Sequence, residues 1–561
     1  MTQATTSIPR RDPARVMRLD RLGSLHQCRL SFMRILTRRM ARDGWTFTRP
    51  HFEIDQNGVG HAVYSARGPD RTYSLVAFAH DLPPEKRSDR VIADAWDATF
   101  ALYDGVPHAD DIARLASNVP VQEAGRIAQT ELTLSRANRS VRLWTHVVDA
   151  LATGQQPDVD QINDVGYLMR TTAVYGSGKF GAADYGTIAP RPEMCAPFQA
   201  EMLTVYLIRT FVRDLVNHMA ARKGGSRAAS LDPAIAQQLG IGNSTGLGMA
   251  PFIINHPVLF NNWIMAREEA ISRVLSLSSA SQDAGMIFRQ TLAQSEITTE
   301  FWRSDHPVQQ DKLRVLRADI AALQAHLATA DLETDSPWNR LYLWAEDHLG
   351  VEGQEFVASL MLEPYPELVD GLADCMSDMN SDAFVIDGAM PVADVSRLLL
   401  TAFGWATEVD WSQKDACARA WYVSAEKLEP RLGERFDEPI AEYEQPLAPA
   451  RDAAAALADL GRCDPQLPVA EFLSQHPNHR HTIRRAQISR IAPYGEIRDN
   501  TISATVMPID LLRAKLSFFG ATQFDPRSDR WVRICMFAGA PYPADLSPDT
   551  ADRWIYPDVT T

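Results

Sequence analysis

Two glycine-rich stretches, Tyr175-Gly176-Ser177-Gly178-Lys179-Phe180-Gly181 and Gly240-Ile241-Gly242-Asn243-Ser244-Thr245-Gly246-Leu247-Gly248, flank one strongly apolar run near the middle of the chain. Glycine loses more backbone freedom on folding than any other residue, so clusters of it mark tight turns or close approach of backbone to a ligand. The run between them, Pro197 to Ala220, spreads Phe198, Val205, Ile208, Phe211, Val212, Leu215, Val216 and Met219 over about half of a helical circumference, the pattern of a buried helix. Arg209, Arg213 and Asn217 follow at steps of four, with Tyr206 beside them. An arginine pair on a buried helix either clamps a carboxylate or phosphate or sits in internal ion pairs. The acidic balance of the chain favours internal pairing.

Known phosphate loops do not fit these stretches. A P-loop would need glycine at Ala173 and a hydroxyl at Phe180 to reach magnesium. Gly240-x-Gly242 meets Thr245 where a dinucleotide fingerprint needs glycine, and Gly246-x-Gly248 meets Pro251. The sequence around them does not read as a strand–helix–strand unit either, so a Rossmann site is not expected. What remains is physical: Gly176, Ser177, Gly178 and Lys179 set backbone amides, a hydroxyl and a cation within four residues, a concavity suited to an anion. Asn243, Ser244 and Thr245 offer similar donors in the second stretch. Each stretch alone reads equally well as a packing turn. Two of them at the ends of one buried helix favour a shared pocket for a small anionic substrate.

Tyr175, Tyr185 and Cys195 crowd the same region, and Met194-Cys195-Ala196-Pro197 sets the thiol at the entry to the helix, where the helix dipole would lower its pKa. We therefore expect catalysis by Tyr175, Lys179, Tyr185 and Cys195. Substrate binding is assigned to Gly176, Ser177, Gly178, Arg209, Arg213, Asn243, Ser244 and Thr245. His476, His479 and His481 form the one dense histidine cluster, but Arg480, Arg484 and Arg485 beside it oppose a cation, so no metal is expected. No cofactor can be named.

Composition narrows the class. Hydrophobic content of 45% with 23% charged residues is that of an ordinary globular protein, and a net charge of -15 argues against nucleic acid as partner. The six cysteines stand singly, with no CxxC, as in a reduced cytoplasmic protein. The sequence has no run of the roughly eighteen apolar residues a spanning helix needs, so no membrane association is expected. A homo-oligomer stays open.

The chain reads as mainly α, a multi-helix body with a small antiparallel β-sheet drawn from both chain ends. Asp12-Pro13 opens an arginine-rich helix running to Gly44, kinked or split at Gly23, whose charge is a solvated face or pairs with the protein's own acidic surface. Trp45 to Leu82 alternates as strands, and Thr501–Val506 with Trp531–Phe537 supplies the second β patch. Helices are expected over Glu123–Thr153, from near Pro257, over Lys312–Thr329, Ser412–Glu426 and Pro508–Gly520. The division is 1–120, 121–280, 281–450 and 451–561. The function expected is an enzyme acting on a small anionic metabolite, an amino acid or carboxylate, with oxidoreductase narrowly ahead. A lyase with glycine-rich loops, or a non-catalytic helical scaffold, are the alternatives.

Overall fold

The alternating segment from Trp45 to Ala79 folds into three strands, β1 (Thr46–Ile54), β2 (Gly60–Arg67) and β3 (Thr72–Ala79). The β1–β2 turn is fixed locally: the Asp55 carboxylate accepts from the amides of Asn57 and Val59 at 2.8 and 2.9 Å. Gly60 has φ +143 there, and a Cβ on it would stand 1.9 Å from the Glu53 carbonyl oxygen, so only glycine fits. The computed structural model describes residues 7–83, 95–120, 128–176, 188, 190–245, 257–303, 307–377, 386–412, 420–423, 428–431, 449–480, 482–483, 492–495, 513–521, 523–525 and 532–557.

The sheet continues well past these strands, which overturns the expected small sheet. After β3 come β4 (Ala98–Asp104), β5 (Glu131–Arg139), β6 (Tyr167–Gly176) and β7 (Gly240–Thr245). A separate hairpin, β8 (Ala420–Val423) with β9 (Leu428–Arg431), precedes β10 (Gln523–Asp525) and β11 (Val532–Met536). Nine of these strands form one sheet in the order β1-β2-β3-β4-β5-β6-β7-β11-β10. Strand β11 pairs with β7, not with the amino-terminal hairpin, so Val532–Met536 lies towards the opposite edge; Thr501–Val506 of the expected second patch lies outside the described residues. All neighbours are antiparallel except β6 and β7, which run parallel.

The misreadings have physical causes. Strands β3 and β4 are buried on both faces: one packs under the helix Gln199–Gly224, and the other joins Val63, Val76, Phe78, Ala101 and Leu134 against Leu115 of the helix Ala109–Asn118. A strand buried on both sides has no alternation to read. Residues 131–139 are a strand and, among the described residues of the helix expected from Glu123 to Thr153, only Trp144–Ala152 is helix. Within the expected helix Ser412–Glu426 the described residues 420–423 are strand. The first helix is split, as Pro13–Val16 and Phe32–Arg42, with Gly23 at φ +73 between them.

The helical periodicities further on are real. Helices cover Pro257–Leu275, Gln282–Glu300, Pro307–Leu327, Pro337–His348 and Val351–Leu360, and share one large core with the sheet face under Gln199–Gly224. A second core, from Ile386 to Ile483, takes residues from both sides of residue 450. No helix among the described residues is long and apolar enough to cross a membrane.

The amino-terminal arginines are sunk into acid. Arg11 donates to Glu268 and Glu355 at 2.7 Å, and Arg267 reaches Glu355 at 3.0 Å. Burial pushes the Glu355 carboxyl up, but Arg11 and Arg267 outweigh it and hold the pKa at about 2. Arg34 grips both oxygens of Glu363 at 2.7 Å, with His26 Nε2 3.4 Å away.

Candidate functional site at the carboxyl ends of the parallel pair

Strand β6, the helix Gln199–Gly224 and strand β7 form a strand–helix–strand crossover, the unit the sequence did not reveal. The helix is placed by its contacts. Thr204 Oγ1 lies 2.6 Å from Thr133 Oγ1, and Thr133 stands opposite Gly176, the last residue of β6. Its amino-terminal turns therefore lie over the carboxyl ends of β6 and β7. Strand β6 ends at Gly176 and β7 at Thr245 at that same end, where parallel strands bind ligands.

Of the second stretch, Gly240 to Thr245 is strand rather than loop, and its first two glycines serve packing. A Cβ on Gly240 would meet the Met536 carbonyl oxygen at 2.3 Å, and one on Gly242 the Tyr167 ring at 2.7 Å. Asn243 is buried and fully engaged: its Nδ2 donates to Thr171 Oγ1 at 3.1 Å, and its Oδ1 accepts from Lys515 Nζ at 3.0 Å. Lys515 opens a π-helical turn, Lys515–Phe519, which Gly520 ends at φ +94. Such turns are rare and recur at functional sites. Phe519 packs on Phe198, ring centroids 4.7 Å apart. Phe198 caps the crossover helix with φ +60, a conformation that costs a bulky residue roughly 1–3 kcal/mol.

One turn into that helix sits Glu201, 3% exposed. Among the described residues its carboxyl has only its own backbone amide for company, and burial lifts its pKa to about 8. It is a neutral acid at physiological pH. Neither Glu201 nor Lys515 was expected, since a lone charge in an apolar helix carries no spacing signal.

The other expected site residues distribute as follows. Tyr175 and Gly176 close β6, and Ser244 and Thr245 close β7, the strand parallel to it. Ser177, Gly178, Lys179 and Tyr185 lie outside the described residues. Cys195 precedes the helix cap, and its thiol is raised rather than lowered: burial dominates the pull of Arg39, and the carboxylate of Asp374 pushes the same way. Its sulfur donates to the Pro192 carbonyl at 3.1 Å.

Arg209 takes neither expected route. Its guanidinium donates to the carbonyls of Leu239, Ala540 and Gln237 at 2.7, 2.8 and 2.9 Å and stacks 3.9 Å over the Tyr542 ring. It ties the lead-in of β7 to the segment after β11. Arg213 pairs with Asp214 at 3.2 Å. Arg209→Lys keeps the charge but loses the fork, and should cost about 2 kcal/mol for carbonyls left unsatisfied. Urea unfolding of the two proteins measures it; an unchanged midpoint would remove Arg209 from this role.

The histidine cluster is built differently from expectation. His476 and His479 converge with Asp459, and His479 Nε2 is 2.8 Å from the Asp459 carboxylate, which also accepts from Arg462 at 2.9 Å. Residue 481 lies outside the described residues. Comparison with known protein families, with curated proteins and with solved structures finds no match for this chain.

Proposed function

We propose that the protein is an enzyme that holds a small anionic metabolite, an amino acid or another carboxylate, at the carboxyl ends of β6 and β7. One observation carries this reading: the adjacent parallel strands β6 and β7 end at Gly176 and Thr245 under the amino terminus of a 26-residue helix. Aligned helix amides favour an anion there. Lys515 adds a cation, and Asn243 fixes it in place. A neutral Glu201 in the first helical turn supports proton transfer, as in a lyase, over the thiol-based oxidoreduction that Cys195 suggested.

The test is calorimetric titration with a panel of amino acids, carboxylates and inorganic phosphate. At least one should bind the wild type, and Lys515→Ala and Lys179→Ala should each weaken it by about tenfold or more, the loss of one charge-assisted contact. Their thermal midpoints should move little. Binding that survives both substitutions unchanged would leave the scaffold reading in its place.

A further inference from the structure

We propose that His51, Glu53 and His61 form a binding site for a divalent metal ion of the zinc class on the β1–β2 hairpin, away from the crossover helix. Alternation along β1 puts His51 and Glu53 on one face, while Phe52 between them packs its ring on His218 of the helix at 5.6 Å. Glu53 and His61 are direct cross-strand partners, and His51 is one step along the diagonal. The imidazole centroids are 4.3 Å apart at 28°, and the three donor atoms lie within 4.8 Å of one another.

Nothing in the hairpin itself satisfies this arrangement. His51 Nε2 is buried yet has no hydrogen-bond partner, and the nearest Glu53 oxygen is 3.6 Å away, beyond hydrogen-bond reach. Two stacked imidazoles cannot satisfy each other's in-plane lone pairs, whereas an ion at their edges, beside the donor nitrogens and the Glu53 carboxylate, can draw on both after a small rotation of the rings. Two imidazoles and a carboxylate are a zinc-type set, and Glu53, 73% exposed, leaves the remaining position to water. The Asp55 turn and Gly60 fix the hairpin, so the donors are presented without a folding step. The basic residue nearest in sequence, Arg49, is engaged by Asp214 and the face of Phe52. The Asp459 trio differs in this respect, since its carboxylate is already paired with His479 and Arg462.

Chelator-stripped full-length protein, titrated with zinc chloride and followed by calorimetry, should bind one equivalent. Cobalt substitution should give the visible bands of a nitrogen-ligated tetrahedral ion. His61→Ala should abolish the binding, and Glu53→Gln, at an exposed position that folding does not depend on, should weaken it by about tenfold. His479→Ala with His481→Ala should leave the stoichiometry at one. No binding by the wild type, or affinity unchanged in Glu53→Gln and His61→Ala, would overturn the site. So would loss of the bound equivalent in the His479/His481 variant alone.

Discussion

Glu363→Ala should remove about 3–5 kcal/mol of stability, the usual consequence of stranding a buried charge. Its carboxylate is 1% exposed and bonds Arg34, itself wholly buried, through both oxygens. Arg29 Nη1 lies 3.9 Å from the same group. Burial pushes this carboxyl up, but the Arg34 charge and the His26 hydrogen bond outweigh it and hold it well below the usual carboxylate range. The pair is therefore ionised throughout the physiological range, and its contribution fades only in strong acid, as pH falls through the depressed folded value. A loss of this size is a large fraction of the roughly 5–15 kcal/mol that holds a domain folded. Urea unfolding, or the soluble yield if the variant does not fold, measures the loss. Arg34→Met with Glu363→Met should recover much of it, because the penalty lies in the unpaired ion rather than in the missing pair. A single variant as stable as wild type would sink the account.

Glu201 should make stability fall as pH rises, the reverse of an ion-paired carboxylate. Below pH about 4.5 both folded and unfolded chains hold this proton, and the group contributes nothing. Between about 4.5 and about 8 the unfolded chain releases the proton while the folded one keeps it. Stability then drops by about 1.4 kcal/mol per pH unit from this group alone. From pH 5 to pH 7.5 that amounts to roughly 3 kcal/mol. Glu201→Gln keeps the shape and removes the titration. It should match wild type near pH 5 and exceed it near pH 8, and the difference between the two proteins cancels every other group. Equal differences at both pH values would show that Glu201 is ionised in the fold, and the proton-transfer part of the proposed function would go with it.

The long apolar helices were legible. Pro197 to Ala220 became Gln199–Gly224, and Lys312 to Thr329 became Pro307–Leu327. The arginines of residues 11–34 also pair with the chain's own acid, as its charge balance suggested. The sheet was not legible, because its middle lacks the period-two signal. In β5, Leu134 falls into one helical stripe with Val141, Trp144 and Val148, and β7 hides behind its glycines. The same two glycines could mark a ligand or a neighbouring strand, and only tertiary contacts decide. Of the site, Asn243 was visible from its setting. Its partner Lys515 was not, since 272 positions separate them.

The ion clusters also bear on the order in which the chain is made. Arg29 bonds Asp370 at 2.7 Å and Asp552 at 2.5 Å, and His26 meets the hydroxyl of Tyr556, 530 positions later. These contacts join residues 341 to 530 positions apart, so the segment around Arg29 completes its pairing only once residues 370, 552 and 556 have been made. Until the later segments are made, the large core around Phe32 and Trp263 also lacks Phe518 and Trp554. The segment around Arg29 is therefore a stretch in need of a chaperone's shelter during synthesis.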